Sequence, residues 1–81
     1  MVKMPTVLRF GPYRFFFYAG DRAESAHIHV ERDAKRAKVW LNPVRRQDGG
    51  GFSRSELARI LMLVQEHEAD LRRRWRDYFA D

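Results

Sequence analysis

The composition of this 81-residue chain excludes several classes of protein before any motif is considered. The length allows one small domain, and a hydrophobic content of 44% with 14% aromatic residues argues against disorder. The absence of cysteine excludes disulfides, thiolate metal sites and cysteine nucleophiles. No signal peptide pattern is present, and no apolar run approaches the about 18–20 residues of a membrane span, so we expect a cytoplasmic protein without membrane association.

The net charge of +5, carried mostly by arginine, indicates a polyanionic partner. Arginine makes bidentate contacts with phosphate and carboxylate groups, so the partner would be RNA, DNA or an acidic protein surface. The alternative is that the charge serves only solubility.

The first half of the chain has the alternation and turn residues of two β-hairpins. Gly11-Pro12 marks the first turn, and Asp33-Ala34 lies in the second. The polar segment from Ala19 to Ser25 is predicted to be a loop. The predicted strands cover about 5–10, 13–18, 27–32 and 36–41.

The second predicted strand is aromatic on both faces, because Phe15 and Phe17 must point one way and Phe16 and Tyr18 the other. One face belongs on the core. The other face is covered by the chain termini or contacts a partner, which includes a homodimer through the outer face of the sheet.

The sequence of the second half of the chain predicts a short extended or loop segment at 44–47 and a flexible glycine-rich linker at 47–51. A helix is predicted at about 53–79. Ser53 and Glu56 have the spacing of a capping box, and apolar residues then recur at helical spacing. The apolar stripe is interrupted at His67 and Glu68, where we expect a kink or a split into two helices. The sequence therefore predicts a single α+β domain: an antiparallel sheet of about four strands covered by a C-terminal helix.

The third strand carries the most distinctive pattern, because His27, His29 and Glu31 alternate with Ile28 and Val30. Alternation places the two imidazoles and the carboxylate on one face. If this strand forms a hairpin with the fourth strand around Asp33-Ala34, His27 faces Trp40 and His29 faces Lys38. Glu31 then faces Arg36.

Three interpretations of this face remain open. His27 and His29 could serve as acid and base in phosphodiester cleavage, with Glu31 assisting and Lys38, Arg36 or Arg14 stabilising the developing charge. The His-x-His pair also has zinc-type ligands, with His67 as a third candidate, but it is a weak signal and we assign no metal and no cofactor. The third interpretation is a solvated sheet face whose histidines contact Trp40 and pair with Glu31.

A second candidate interface lies near the C-terminus, where arginines interleave with Trp75 and Tyr78. Arginines next to aromatic rings suit nucleic-acid or acidic-protein binding, although such a run is usually a solvated helix end. The arginines are Arg72, Arg73, Arg74 and Arg76.

Five segments together resemble the bacterial "domain of unknown function 4160" family. They occur in the family's order and span nearly the whole chain, although Ala26 stands where the family usually has proline. The segments are 4–9, 11–18, 27–31, 37–41 and 51–53.

The resemblance implies a role rather than an activity, because the family has no established function. Its members are often encoded beside another small protein, similar to toxin–antitoxin pairs, which implies a component of such a module with a cognate small protein partner. The positions that are marked in the family lie, in this chain, on the face of the sheet that carries His27 and His29. The marked positions are His27, His29, Glu31, Lys38 and Trp40. The alternatives are a ribonuclease-like enzyme and a non-enzymatic nucleic-acid-binding module.

Overall fold

The computed structural model describes residues 6–80 as a five-stranded antiparallel sheet followed by two helices. The strands follow one another in the sheet in chain order, so each pairs with its sequence neighbours. This arrangement confirms the predicted α+β class. The strands are β1 (Thr6–Phe10), β2 (Tyr13–Phe16), β3 (His27–Arg32), β4 (Lys35–Leu41) and β5 (Val44–Asp48), and the helices are α1 (Arg54–Glu66) and α2 (Glu68–Phe79).

The sheet has one strand more than the sequence predicted. β5 covers the segment expected to be extended or loop, and it pairs with β4. Only Val44 is partly buried in this strand, and the other four residues are exposed. An edge strand with two solvated faces carries no apolar alternation, so its sequence does not distinguish it from a loop.

The predicted register of β3 and β4 is confirmed. His27 faces Trp40, His29 faces Lys38 and Glu31 faces Arg36 across the antiparallel pair. The start of the first predicted strand at Pro5 lies outside the described residues.

The predicted split of the helix is also confirmed, since α1 ends at Glu66 and α2 begins at Glu68. His67 lies between them, and its Nδ1 is 2.9 Å from the carbonyl oxygen of Leu63. Only half of the predicted capping box forms. Ser53 Oγ accepts a hydrogen bond from the Glu56 backbone N–H at 3.2 Å, but the Glu56 side chain turns to the sheet and accepts from Tyr13.

The core lies between the inner face of the sheet and the two helices. Ile28 and Val30 of β3 are fully buried there, which leaves the histidines of β3 on the outer face. The helices contribute Leu57, Ile60, Val64 and Leu71 to this core. None of the helices within residues 6–80 is long and apolar enough to cross a membrane.

The glycine-rich segment before α1 packs tightly against β4. Gly50 has a φ of +62°, and a Cβ atom at this position would lie 1.8 Å from the carbonyl oxygen of Arg36. Gly50 therefore lies in a close-packed turn that requires glycine, within the segment that the sequence predicts to be a flexible linker.

The C-terminal part of α2 reaches the end of the sheet. Trp75 makes an edge-on contact with the core residue Phe17 at a centroid distance of 5.2 Å. It also contacts His27, which belongs to the outer face, at 5.1 Å. Trp75 thus joins the core to the outer face.

Candidate functional site

The outer face around the histidines is covered by the segment that the sequence predicted to be a loop. Residues Ala19–Ala23 form a short 3-10 helix, and its Asp21 is only 8% exposed. His27 is fully buried and His29 is 8% exposed, so the prediction that they lie on a solvated face is wrong, whereas the predicted contact with Trp40 is present for His27. The histidines pair with Asp21 and not, as that interpretation held, with Glu31.

We call Asp21, His27 and His29 the His–Asp cluster. Asp21 Oδ2 lies 3.0 Å from His29 Nε2 and 3.2 Å from His27 Nε2. The same oxygen accepts a hydrogen bond from the backbone N–H of Tyr18 at 2.8 Å. His27 donates from Nδ1 to the carbonyl oxygen of Ser25 at 2.8 Å. One carboxylate oxygen is therefore the centre of the cluster.

The environment of His29 favours its neutral form. Burial lowers the pKa of His29 below its usual value, although the Asp21 carboxylate opposes the shift. The ring stacks on Phe16 with a centroid distance of 5.4 Å. Phe16 is itself fully buried within the chain, beneath the Arg14 and Arg36 guanidinium groups.

Glu31 does not join the histidines. It accepts hydrogen bonds from Arg14 Nη2 and Arg36 Nη2, each at 2.8 Å. The hydrogen bond from Arg36, followed by that from Arg14, lowers the pKa of Glu31. These three predicted site residues form an ion-pair group beside the cluster.

Lys38 is likewise engaged, because its Nζ donates to Glu24. This hydrogen bond lowers the pKa of the Glu24 carboxyl. Lys38 Nζ also lies 5.0 Å from the centroid of the Trp40 ring. Lys38 therefore borders Trp40 and makes no contact with a histidine nitrogen that the structure describes.

A concave surface lies between the end of the sheet and α2. It has a volume of about 450 Å³, and its walls carry two indole rings and three guanidinium groups. We call it the tryptophan–arginine cleft. Its lining residues are Ser25, Ala26, Trp40, Asn42, Arg45, Arg72, Trp75 and Arg76.

The cleft divides the four C-terminal arginines that the sequence grouped together. Arg72 and Arg76 line it. Arg73 pairs with Asp70 and Asp77, and Arg74 donates to Asp70 at 2.9 Å, so both lie outside the cleft.

The His–Asp cluster lies directly behind the cleft. The His27 ring contacts Trp40 at a centroid distance of 5.7 Å and Trp75 at 5.1 Å. Its Nδ1 bonds to the backbone of Ser25, which lines the cleft. The strand pattern and the C-terminal arginine run, which the sequence treated as separate sites, therefore meet at one place.

Sequence reasoning missed Asp21 and Arg45 as site residues, and it noted Trp75 only as part of the arginine run. Asp21 lies in a polar segment with no periodic pattern. The only signal in the sequence is that this carboxylate lies between an aromatic strand and a strand with a His-x-His pair. Arg45 lies on β5, the strand that the sequence did not predict.

A family model described as "Domain of unknown function (DUF4160)" matches residues 13–76. The chain belongs to the DUF4160 family. The match covers both the His–Asp cluster and the tryptophan–arginine cleft. No curated protein and no solved structure shows a significant match to the chain.

Proposed function

We propose that this DUF4160 protein binds single-stranded RNA in the tryptophan–arginine cleft. The observation that carries the proposal is the placement of Trp40 and Trp75 in one cleft with Arg45, Arg72 and Arg76. Unpaired bases stack on aromatic rings and their phosphates pair with arginine, whereas bases in a duplex offer no free face.

The charge of the cleft supports a polyanionic ligand. The described lining residues include no carboxylate. Arg45 and Arg76 make no ion pair with any residue between 6 and 80, and Arg72 is 3.4 Å from Glu68, at the long end of a hydrogen bond. Guanidinium groups without an ion pair among the described residues, such as those of Arg45 and Arg76, are available to phosphate oxygens.

The geometry supports binding better than cleavage. His27 is fully buried and His29 nearly so, and His29 is hydrogen-bonded to Asp21. A general acid or base must come within about 2.6–3.2 Å of the proton that it transfers, which a phosphodiester in the cleft does not reach in this conformation. The ribonuclease alternative therefore requires the histidines to become exposed.

The experiment is a binding titration with a fluorescently labelled single-stranded RNA of mixed sequence. Trp40→Ala should weaken binding by about 5- to 150-fold, since stacking one base contributes about 1–3 kcal/mol. Trp40 is half-buried, and its ring contacts His27 and Lys38 on the outer face, so this variant should fold. Single-stranded DNA and duplex RNA of the same length are included, and duplex RNA should bind more weakly.

The charge control uses two arginines that differ only in position. Arg45→Gln should weaken binding, because Arg45 lines the cleft. Arg59→Gln removes the same charge from an exposed position on α1 and should leave the affinity nearly unchanged. Equal losses in the two variants, or no loss with Trp40→Ala, would contradict a specific cleft.

We further propose that this RNA-binding protein acts with a cognate small protein partner in a toxin–antitoxin-like module. The family resemblance supports this proposal, together with the basic charge of +5, which suits an acidic partner. Co-expression with the product of the adjacent gene should yield a stoichiometric complex. A protein that stays uncomplexed in that co-expression, or that forms only a homodimer, would contradict it.

A further inference from the structure

We propose that the His–Asp cluster is a binding site for one divalent transition-metal ion of the zinc type. The ligands would be Asp21 Oδ2, His27 Nε2 and His29 Nε2. These three atoms lie within 4.8 Å of one another, and all three residues are buried. The inference is independent of RNA binding.

The separations of the ligand atoms suit such an ion. Zinc binds imidazole nitrogen and carboxylate oxygen at about 2.0–2.2 Å, so two ligands of a tetrahedral ion lie about 3.3 Å apart. Asp21 Oδ2 lies 3.0 Å from one imidazole nitrogen and 3.2 Å from the other. Small rotations of the side chains would therefore complete the coordination.

His27 Nε2 provides the second observation. It is the one fully buried side-chain polar atom between residues 6 and 80 that makes no hydrogen bond. Because Nδ1 donates to the Ser25 carbonyl, Nε2 of the neutral ring carries a lone pair. This lone pair faces Asp21 Oδ2, which accepts from the Tyr18 N–H and bonds to His29 Nε2. A bound cation would give the His27 lone pair the partner that it lacks.

The surrounding hydrogen bonds are those of a metal site. A metal-bound histidine almost always donates its second ring N–H to a carbonyl or carboxylate, as His27 does to Ser25. The backbone N–H of Tyr18 donates to Asp21 Oδ2 itself and so fixes the orientation of the carboxylate. Both groups are thus oriented before any ion binds.

The ligand chemistry selects the class of ion. Two imidazoles and one carboxylate suit zinc and its neighbours in the transition series, whereas calcium and magnesium prefer sites made of oxygen alone. Three protein ligands leave a fourth position of a tetrahedral ion for water. The third histidine, His67, lies at the helix junction against Phe10 and takes no part.

The test is a cobalt titration of untagged, chelator-treated protein. Tetrahedral or five-coordinate cobalt absorbs visible light far more strongly than the hydrated ion. We expect a saturable absorption with one equivalent of cobalt, and its loss when one equivalent of zinc displaces the cobalt. Asp21→Asn and His29→Gln should each weaken metal binding by about 100-fold or more, beyond the effect of losing an outer hydrogen bond. His67→Gln is the matched control and should bind as the wild type does.

X-ray absorption of the zinc-loaded wild type gives an answer that does not depend on whether a variant folds. The expected spectrum shows nitrogen and oxygen ligands only, with outer-shell scattering from two imidazoles. Absence of metal binding by the folded wild type, a spectrum with fewer than two imidazoles, or unchanged affinity in folded Asp21→Asn would overturn the proposal. A direct hydrogen bond between His27 Nε2 and Asp21 is the competing arrangement, and it predicts the first of these results.

Discussion

The ring of His27 lies 5.1 Å from the indole of Trp75, so the His–Asp cluster and the tryptophan–arginine cleft share one wall. Trp75 also packs against the core, where its ring centroid lies 5.2 Å from that of Phe17 and 4.4 Å from that of Phe79. The proposed RNA site therefore depends on the same packing that holds α2 on the sheet.

The first prediction follows from this double role of Trp75. Trp75→Ala should lower the free energy of unfolding by about 3–5 kcal/mol, as expected for loss of a large packed aromatic ring. Trp40→Ala should cost clearly less, because Trp40 lies on the outer face and contacts mainly His27 and Lys38. Urea denaturation of both variants measures the difference. Similar losses would mean that Trp75 does not anchor α2.

The second prediction concerns pH and the contact between Tyr13 and Glu56. Tyr13 donates to Glu56 Oε2 at 2.8 Å, and Arg32 donates to the same oxygen at 2.7 Å. The hydrogen bond from Tyr13 is the largest cause that lowers the pKa of Glu56. A lowered carboxyl pKa stabilises the folded state above the ordinary pKa of glutamate, about 4.3, and this contribution is lost as the pH falls through the folded-state value.

The wild type should therefore be more stable than Glu56→Gln at neutral pH, and the difference should narrow as the pH falls below about 4.3. Thermal unfolding of both proteins between neutral and acidic pH measures it. Glu66→Gln is the control, since Glu66 is an exposed residue of α1. A gap between wild type and Glu56→Gln that stays constant with pH would contradict the assignment.

The third prediction tests the turn before α1. Gly50→Ala should be strongly destabilising, because alanine disfavours a φ of +62° and its Cβ would collide with the Arg36 carbonyl. Gly20→Ala is a matched substitution at a position where a Cβ meets nothing within 4 Å. Melting temperatures of the two variants should differ widely. If Gly50→Ala melts with Gly20→Ala, the segment is a flexible linker after all.

The fourth prediction uses two arginines of α2 that the structure separates. Arg76→Gln should reduce the salt dependence of RNA affinity, since each phosphate contact to a single strand contributes about −0.7 to the slope of log K against log salt. Arg73→Gln removes the same charge three residues away, outside the cleft, and should keep the slope. Affinities over a range of salt concentrations decide between them. A slope that changes equally in both variants would indicate nonspecific attraction.

Residues with a strict period were predictable from the sequence. Alternation in β3 and a turn at Asp33-Ala34 were enough to give the register that pairs His27 with Trp40. The break in the apolar stripe at His67 was enough to place the junction of α1 and α2. In both cases one face of the element is buried, and the spacing of apolar residues along the sequence shows which face it is.

Contacts that depend on tertiary folding were not predictable. Asp21 reaches the histidines only because the 3-10 helix folds over the outer face, and no local pattern specifies that path. Arg45 enters the cleft only because β5 pairs with β4, and Trp75 only because α2 crosses the end of the sheet. The sequence therefore identified the strand residues of the candidate site, but it did not identify Asp21, Arg45 and Trp75 as the residues that complete it.

The most direct test of the proposed function is an NMR titration of the ¹⁵N-labelled protein with single-stranded RNA. The chain has two tryptophans, Trp40 and Trp75, so its indole N–H region contains two signals that both report on the cleft. We predict that both signals shift, together with the side-chain signals of Arg45, Arg72 and Arg76. Shifts confined to residues away from the cleft, or no shift at RNA concentrations that saturate binding, would contradict the account.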